Sequence, residues 1–262
     1  MTHLFKRALC AALPICLVAT AASAEERSAI ATGMAIPVGA VANPGVPVPS
    51  HGRFVLVDAA SARLFMVENG DVVDSMKVIV GKPSAATPML RSTIYYATFN
   101  PYWNVPTDLA KSIIAPRVLK DGAAYLESHG YQIVSGFSRT ARVLPASSVD
   151  WQAVADGTET VHVRQLPGPA NSMGRMKFGF ANGDGIFLHD TPRKELFEAS
   201  DRGLSNGCVR LEDAPRFARW LLGRDPAFAD ASPEENIALP SGVPIVITYL
   251  NGSQPSQMAL LR

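Results

Sequence analysis

A single thiol offers the clearest chemistry in this chain. The run Ser205-Asn206-Gly207-Cys208-Val209-Arg210 places a cysteine directly after a glycine. A glycine there lets a substrate approach the sulfur closely, and consecutive backbone N–H groups in such a turn can face a developing oxyanion. A free cysteine has a pKa of ~8.5, so little of it is thiolate at neutral pH, and a nucleophile needs a base or a cation beside it. His189, in Ile186-Phe187-Leu188-His189-Asp190-Thr191-Pro192, is the nearest upstream histidine. The gap is too long for local contact but natural for neighbouring strands joined by a loop. Arg210 stands two residues beyond Cys208, so on an extended chain both share one side. Singly these signals are modest. A histidine at a strand end is ordinarily a surface or hydrogen-bonded core residue, and an arginine a surface charge or ion-pair partner.

The elements that must position this set lie in a chain of 262 residues, 47% hydrophobic and 18% charged, enough to bury a core in one domain or two small ones. Lys6 and Arg7, an apolar stretch from Ala8 to Thr20 and the run Ala22-Ser23-Ala24 read as a secretory signal peptide, residues 1–24, cleaved after Ala24. The stretch is too short for a spanning helix and is broken by Pro14. Removing two basic and no acidic side chains changes the net charge from +1 to −1. A nearly neutral exported protein lacks the basic footprint of a nucleic-acid binder, and that class is excluded. Of three cysteines, Cys10 and Cys16 leave with the signal, so Cys208 remains alone. Such a thiol is an inert buried residue, an intermolecular disulfide partner or a reactive nucleophile, and arithmetic leaves all three open.

Residues 25–51, rich in Ala, Pro, Gly and Val, read as a flexible linker, and 252–262 as a tail. Between them, Phe54 to Val57 is a short apolar strand, and Asn69-Gly70 joins two more in a hairpin. Ser92 to Phe99, Ile186 to Leu188 and Val243 to Leu250 are further strands. Asp108 to Leu119 predicts a helix limited by Pro116. Asp213 to Leu222 predicts another, with Asp213 as N-cap and Pro215 in its first turn. Alternation from Arg63 to Val67 does not decide which face is buried. The pattern predicts a mainly β, α+β domain with a helix-containing insertion.

Together these motifs resemble the L,D-transpeptidases, whose YkuD-type catalytic domain carries a Ser-x-Gly-Cys-x-Arg run after an upstream Leu-His-Asp. Three more segments are similar to its larger Gram-negative branch: Asn100 to Pro106, Tyr125 to Tyr131 and Pro167 to Gly174. The resemblance implies a β-sandwich catalytic domain over 52–251 with a capping insertion at about 105–175. It implies Cys208 as nucleophile, His189 as base, and Asp190 orienting the imidazole through its backbone carbonyl. Gly207 and Cys208 would supply the oxyanion hole. Ser205, Asn206 and Arg210 would support the loop and substrate, and Trp103 and Asn104 would line the groove. Two positions depart from the pattern: Asn206 stands where many members carry histidine, and Phe187 where relatives often carry tyrosine. His51, His129 and His162 read as structural.

The activity so implied is periplasmic acyl transfer on peptidoglycan tetrapeptide stems. It runs through a Cys208 thioester to 3-3 cross-links, contributes to cell-wall biogenesis and cell shape, and is open to acylation by carbapenems. Water as acceptor would make the protein an L,D-carboxypeptidase, and a lysine of an outer-membrane lipoprotein an anchoring transferase. No metal or organic cofactor is expected, and a monomer is the default. A sortase-like enzyme is disfavoured by the His–Cys–Arg spacing, and a catalytically silent wall-binding domain by the retention of the whole constellation.

Overall fold

The computed structural model describes residues 36–37, 49–138, 140–226 and 232–250. The expected signal peptide, most of the linker and the tail lie outside the described residues. In chain order the strands are β1 (Ile36–Pro37), β2 (Arg53–Asp58), β3 (Arg63–Glu68), β4 (Asp71–Gly81), β5 (Leu90–Phe99), β6 (Trp103–Asn104), β7 (Tyr131–Val134), β8 (Val143–Leu144), β9 (His162–Gln165), β10 (Met176–Phe180), β11 (Leu188–His189), β12 (Gly203–Ser205), β13 (Val209–Leu211) and β14 (Glu235–Thr248). The larger sheet runs β1-β4-β13-β11-β10-β5-β14-β2-β3, with β12 beside β4, and β3 pairs with β4 as well. The hydrogen-bonded path therefore closes on β4, and the β-sandwich is a sheet folded back on itself around the main core.

The β3–β4 turn is at Asn69-Gly70, both at positive φ (53° and 90°), the geometry that a two-residue hairpin demands. Strands β2 and β3 are buried on both faces. Val55, Val57, Leu64 and Met66 enter the main core, while Phe54, Leu56, Phe65 and Val67 enter a second cluster. Alternation could not choose a face because both are apolar. The helix Ala214–Leu222 closes the main core with Phe217, Ala218, Leu221 and Leu222. Its cap is as read: Asp213 accepts the Arg216 N–H at 3.0 Å, and Gly223 ends it at φ 69°.

The insertion leaves after β5 and returns at β10, its antiparallel neighbour. It holds more than the helices and short punctuated pieces that its sequence suggests, because it has its own sheet, ordered β6-β9-β7-β8. These strands are two to four residues long, too short for alternation to register. Val105, Ile114, Val118, Ile133, Val154 and Val163 form its separate core. The first helical stretch runs from Thr107 to Asp121, longer at both ends than Asp108 to Leu119. Pro116 does not break it. A π-helical turn over Ala110–Ile114 widens the coil just before the position where proline lacks an N–H and would crowd the preceding turn.

Three strands carry the residues of interest. Lys177 in β10 pairs across from His189 in β11, and His189 across from Arg210 in β13. Phe178, Leu188 and Val209 point into the core, so strand alternation turns Lys177, His189 and Arg210 to the opposite face.

Candidate active site

The thiol sits on a loop pinned from two sides. Ser205 Oγ donates to the Cys208 carbonyl at 2.6 Å and accepts the Gly207 N–H at 3.1 Å, stapling the turn. Gly207 adopts φ 118°, a conformation side chains resist, and an added Cβ would press on Ile186. From the other side, the fully buried Thr87 donates its hydroxyl to the Gly207 carbonyl at 2.7 Å and accepts the Gly81 N–H at 2.9 Å. Gly81 has no room for a Cβ, which would collide with backbone atoms of Ala85, Ala86 and Thr87. Sequence reasoning missed Thr87 and Gly81; nothing local marks a hydroxyl that reaches a loop 120 residues away. Of the two amides expected at an oxyanion hole, that of Gly207 already donates to Ser205 Oγ.

Cys208 is half-buried, and its Sγ donates weakly to the Gly185 carbonyl at 3.9 Å. Burial pushes the thiol pKa up, while hydrogen bonding with the Phe187 backbone and the Arg210 charge pull the other way. The backbone beside it is locked to β11 by Val209 N–H donating to the Phe187 carbonyl at 3.0 Å. Because β13 runs parallel to β11, Cys208 lies one alternate position before the residue facing His189, on the same side.

His189 is buried, with only 4% of its surface exposed. Its Nδ1 lies 2.5 Å from the Asp190 carbonyl oxygen. A carbonyl can only accept, so Nδ1 carries the proton and Nε2 keeps a lone pair. Burial pushes the imidazole pKa down to about 4, and the nearby Arg210 and Lys177 charges add to that, outweighing the opposing pull of Asp190. Burial and the Arg193 charge lower the Arg210 pKa, and among the described residues no carboxylate forms an ion pair with it, so this half-buried guanidinium can meet an incoming anion. Asp190 turns its carboxylate away from the imidazole: Oδ2 accepts the Arg175 N–H at 2.9 Å and Oδ1 the Lys194 ammonium at 2.7 Å.

The other sequence-selected residues scatter more widely. Asn206 is exposed at the tip of the pinned loop. Trp103 packs into the insertion's core, 6.4 Å from the Tyr131 ring, and Asn104 is exposed on the short edge strand beside it. His129 lies tilted against Tyr125 and parallel to Tyr131, and His162 meets Phe137 edge-on. The arrangement as a whole juxtaposes a neutral thiol, a neutral imidazole of defined tautomer and a backbone donor. That set can perform acyl transfer.

Comparisons with known proteins follow the same line. The model of the YkuD family, described as the L,D-transpeptidase catalytic domain, matches residues 52–247. A Haemophilus influenzae protein provisionally named an L,D-transpeptidase is 33% identical over 175 residues, covering 67% of this chain and 35% of its own length. The chain thus spans about a third of the curated relative that it matches. Among solved structures, an L,D-transpeptidase from Mycobacterium smegmatis aligns with 15% identity and a TM-score of 0.34, covering 75% of this chain and 58% of its own. L,D-transpeptidase 3 from Mycobacterium tuberculosis, in complex with a faropenem-derived adduct, aligns with 10% identity and a TM-score of 0.34, covering 75% and 60%.

Proposed function

Because the chain belongs to the YkuD family of L,D-transpeptidase catalytic domains, we propose that it is a periplasmic cysteine transpeptidase acting on peptidoglycan tetrapeptide stems. The observation that carries the reading is the tautomer: His189 Nδ1 is held by the Asp190 carbonyl, so Nε2 is the basic nitrogen on the face that also carries Cys208. Sγ of Cys208 attacks the carbonyl carbon of the third stem residue, a diaminopimelate, as its proton passes to Nε2. The Cys208 N–H stabilises the oxyanion. Collapse breaks the bond to the terminal D-Ala, whose nitrogen takes the proton from Nε2, and a thioester remains. The side-chain amine of a second stem attacks the thioester and gives a proton to Nε2. The C–S bond breaks, Sγ recovers the proton, and a 3-3 cross-link is formed. Arg210 supplies a cation for a stem carboxylate. The signal peptide expected over residues 1–24 is what supports export in this reading, and an outer-membrane lipoprotein lysine would be an alternative acceptor at the same thioester.

The test is intact-mass spectrometry of the mature protein with a carbapenem, followed by incubation with disaccharide-tetrapeptide. One covalent adduct and cross-linked dimer are expected from the wild type. Cys208→Ala should give no adduct, and His189→Ala should lose acylation on the order of a thousandfold. Tripeptide without cross-linked product would assign L,D-carboxypeptidase activity instead. A folded, reduced wild type that forms no adduct and turns over no stem would point to a silent wall-binding domain.

A further inference from the structure

The insertion joins the catalytic sheet through a neck of two segments, one outgoing (100–102) and one returning (165–175). They are tied to each other by buried Asn171, whose Nδ2 donates across the neck to the Pro101 carbonyl at 3.0 Å and within its own segment to that of Leu166 at 2.9 Å, and by Asn100 N–H donating to the Arg175 carbonyl at 2.9 Å. Each segment is also seated on one carboxylate. Tyr102 N–H donates to Glu234 Oε2 at 2.6 Å, and Arg175 N–H to Asp190 Oδ2 at 2.9 Å. The second oxygen of each carboxylate holds a lysine: Glu234 Oε1 takes Lys177 at 2.6 Å, and Asp190 Oδ1 takes Lys194 at 2.7 Å.

Both clamps end at His189. Asp190 is its chain neighbour and holds Nδ1 through its carbonyl, while Lys177 stands directly across from it in β10. Two features mark these seats as more than incidental ion pairs. Glu234 is a non-glycine residue at φ 58°, a conformation that costs energy and persists only where its surroundings enforce it, and here its own N–H is bound to the Asn100 carbonyl at 2.9 Å. Gly174, at φ 63°, lies so close to Asp190 that a Cβ would sit 2.5 Å from Oδ2.

We infer that Asp190 and Glu234 are positioning residues whose carboxylates seat the two strands of the insertion's neck and transmit that seating to the imidazole of His189. This role deepens the proposed transpeptidase reading, since it concerns the base of that same site. Removing a carboxylate loosens the neck and lets His189 leave its productive orientation. Asp190→Asn or Glu234→Gln leaves an oxygen for the N–H but turns an NH2 towards the lysine, so it keeps the neck seated while releasing the ammonium. The charged and titratable groups facing His189 are Arg210 and Cys208 from the β13 side, Lys177 from β10 and Asp190 beside it, so a shifted seat alters the pH dependence of the thiol–imidazole pair.

The experiment compares Asp190→Ala, Glu234→Ala, Asp190→Asn and Glu234→Gln with the wild type. It reads stem turnover, the pH profile of Cys208 alkylation by iodoacetamide, and hydrogen exchange of the neck peptides. The alanine variants should lose kcat by about ten- to a hundredfold with KM little changed, shift the alkylation profile and exchange faster at the neck. The amide variants should keep wild-type exchange at the neck and fall between wild type and alanine in turnover and alkylation profile. If the alanine variants do not fold, Gly174→Ala takes their place, because it displaces Asp190 without deleting a polar group, and a shifted alkylation profile is again expected. Folded alanine variants, or a folded Gly174→Ala, with a wild-type alkylation profile would overturn the inference. Alkylation and exchange need no stem substrate, so a wild type inactive on stems would defeat the proposed function while these readouts still judge the clamps.

Discussion

At the scale of single residues, the site separates two ways of making a cysteine reactive. One is a standing thiolate–imidazolium pair. The other is a neutral pair in which the proton moves only as the substrate carbonyl arrives. Burial raises the Cys208 pKa and lowers that of His189 to about 4, and both shifts disfavour the charged pair. Iodoacetamide, which requires thiolate, should therefore alkylate Cys208 at pH 7 more slowly than it alkylates glutathione, with the rate climbing as pH rises beyond ~8.5. Carbapenem acylation at pH 7 should proceed regardless, because His189 can take the proton during attack. Alkylation faster than glutathione at pH 7 would mean that the ion pair is already formed. Ser205 makes a second case. Its hydroxyl serves both the Gly207 N–H and the Cys208 carbonyl, so Ser205→Ala should cost roughly 1–3 kcal/mol in urea unfolding and slow carbapenem acylation. A destabilised variant that acylates at the wild-type rate would reduce the staple to a purely structural role.

At the scale of elements, the strand end at Gly81 and the helix start at Asp213 make an informative contrast. Gly81→Ala would drive a Cβ into the backbone around Ala85 and Thr87 and so displace the hydroxyl holding the Gly207 carbonyl, at a cost of about 1–3 kcal/mol. Asp213→Ala removes a helix cap at the other end of β13 from the thiol and costs about 1 kcal/mol. Thermal melts should show both losses, whereas the acylation rate should fall only for Gly81→Ala; equal rates would separate β4 from the loop. The same contrast explains what could be read in advance. The cap at Asp213, the Asn69-Gly70 turn and the Gly-Cys run were legible because each is a local rule written in neighbouring residues. Thr87, Lys177, Glu234 and Asn171 were not, because their roles depend on which distant backbone group lies within reach after folding. The insertion's sheet was missed for a related reason. Its strands are held by pairing with one another, and two residues such as Trp103 and Asn104 carry no period.

At the scale of the whole molecule, buried His189, the proposed base, should couple the proposed chemistry to acid stability. In the unfolded chain His189 titrates near its ordinary pKa of ~6.5, while in the fold it resists protonation until about pH 4. A depressed folded pKa means that the unfolded state binds the proton first. The stabilisation is therefore fully present above ~6.5 and is lost as pH falls towards 4, up to roughly 3 kcal/mol. The raised Cys208 pKa acts at the other end, since the unfolded thiol ionises at ~8.5 while the folded one stays protonated, and stability declines as pH rises past that point. Chemical unfolding at pH 7 and pH 4.5 of wild type and His189→Gln isolates the first effect, because a glutamine cannot titrate. Wild type should lose about 2–3 kcal/mol more than the variant between the two pH values. Equal losses would mean that His189 accepts a proton in the folded state, and the neutral-pair mechanism would fall with the linkage.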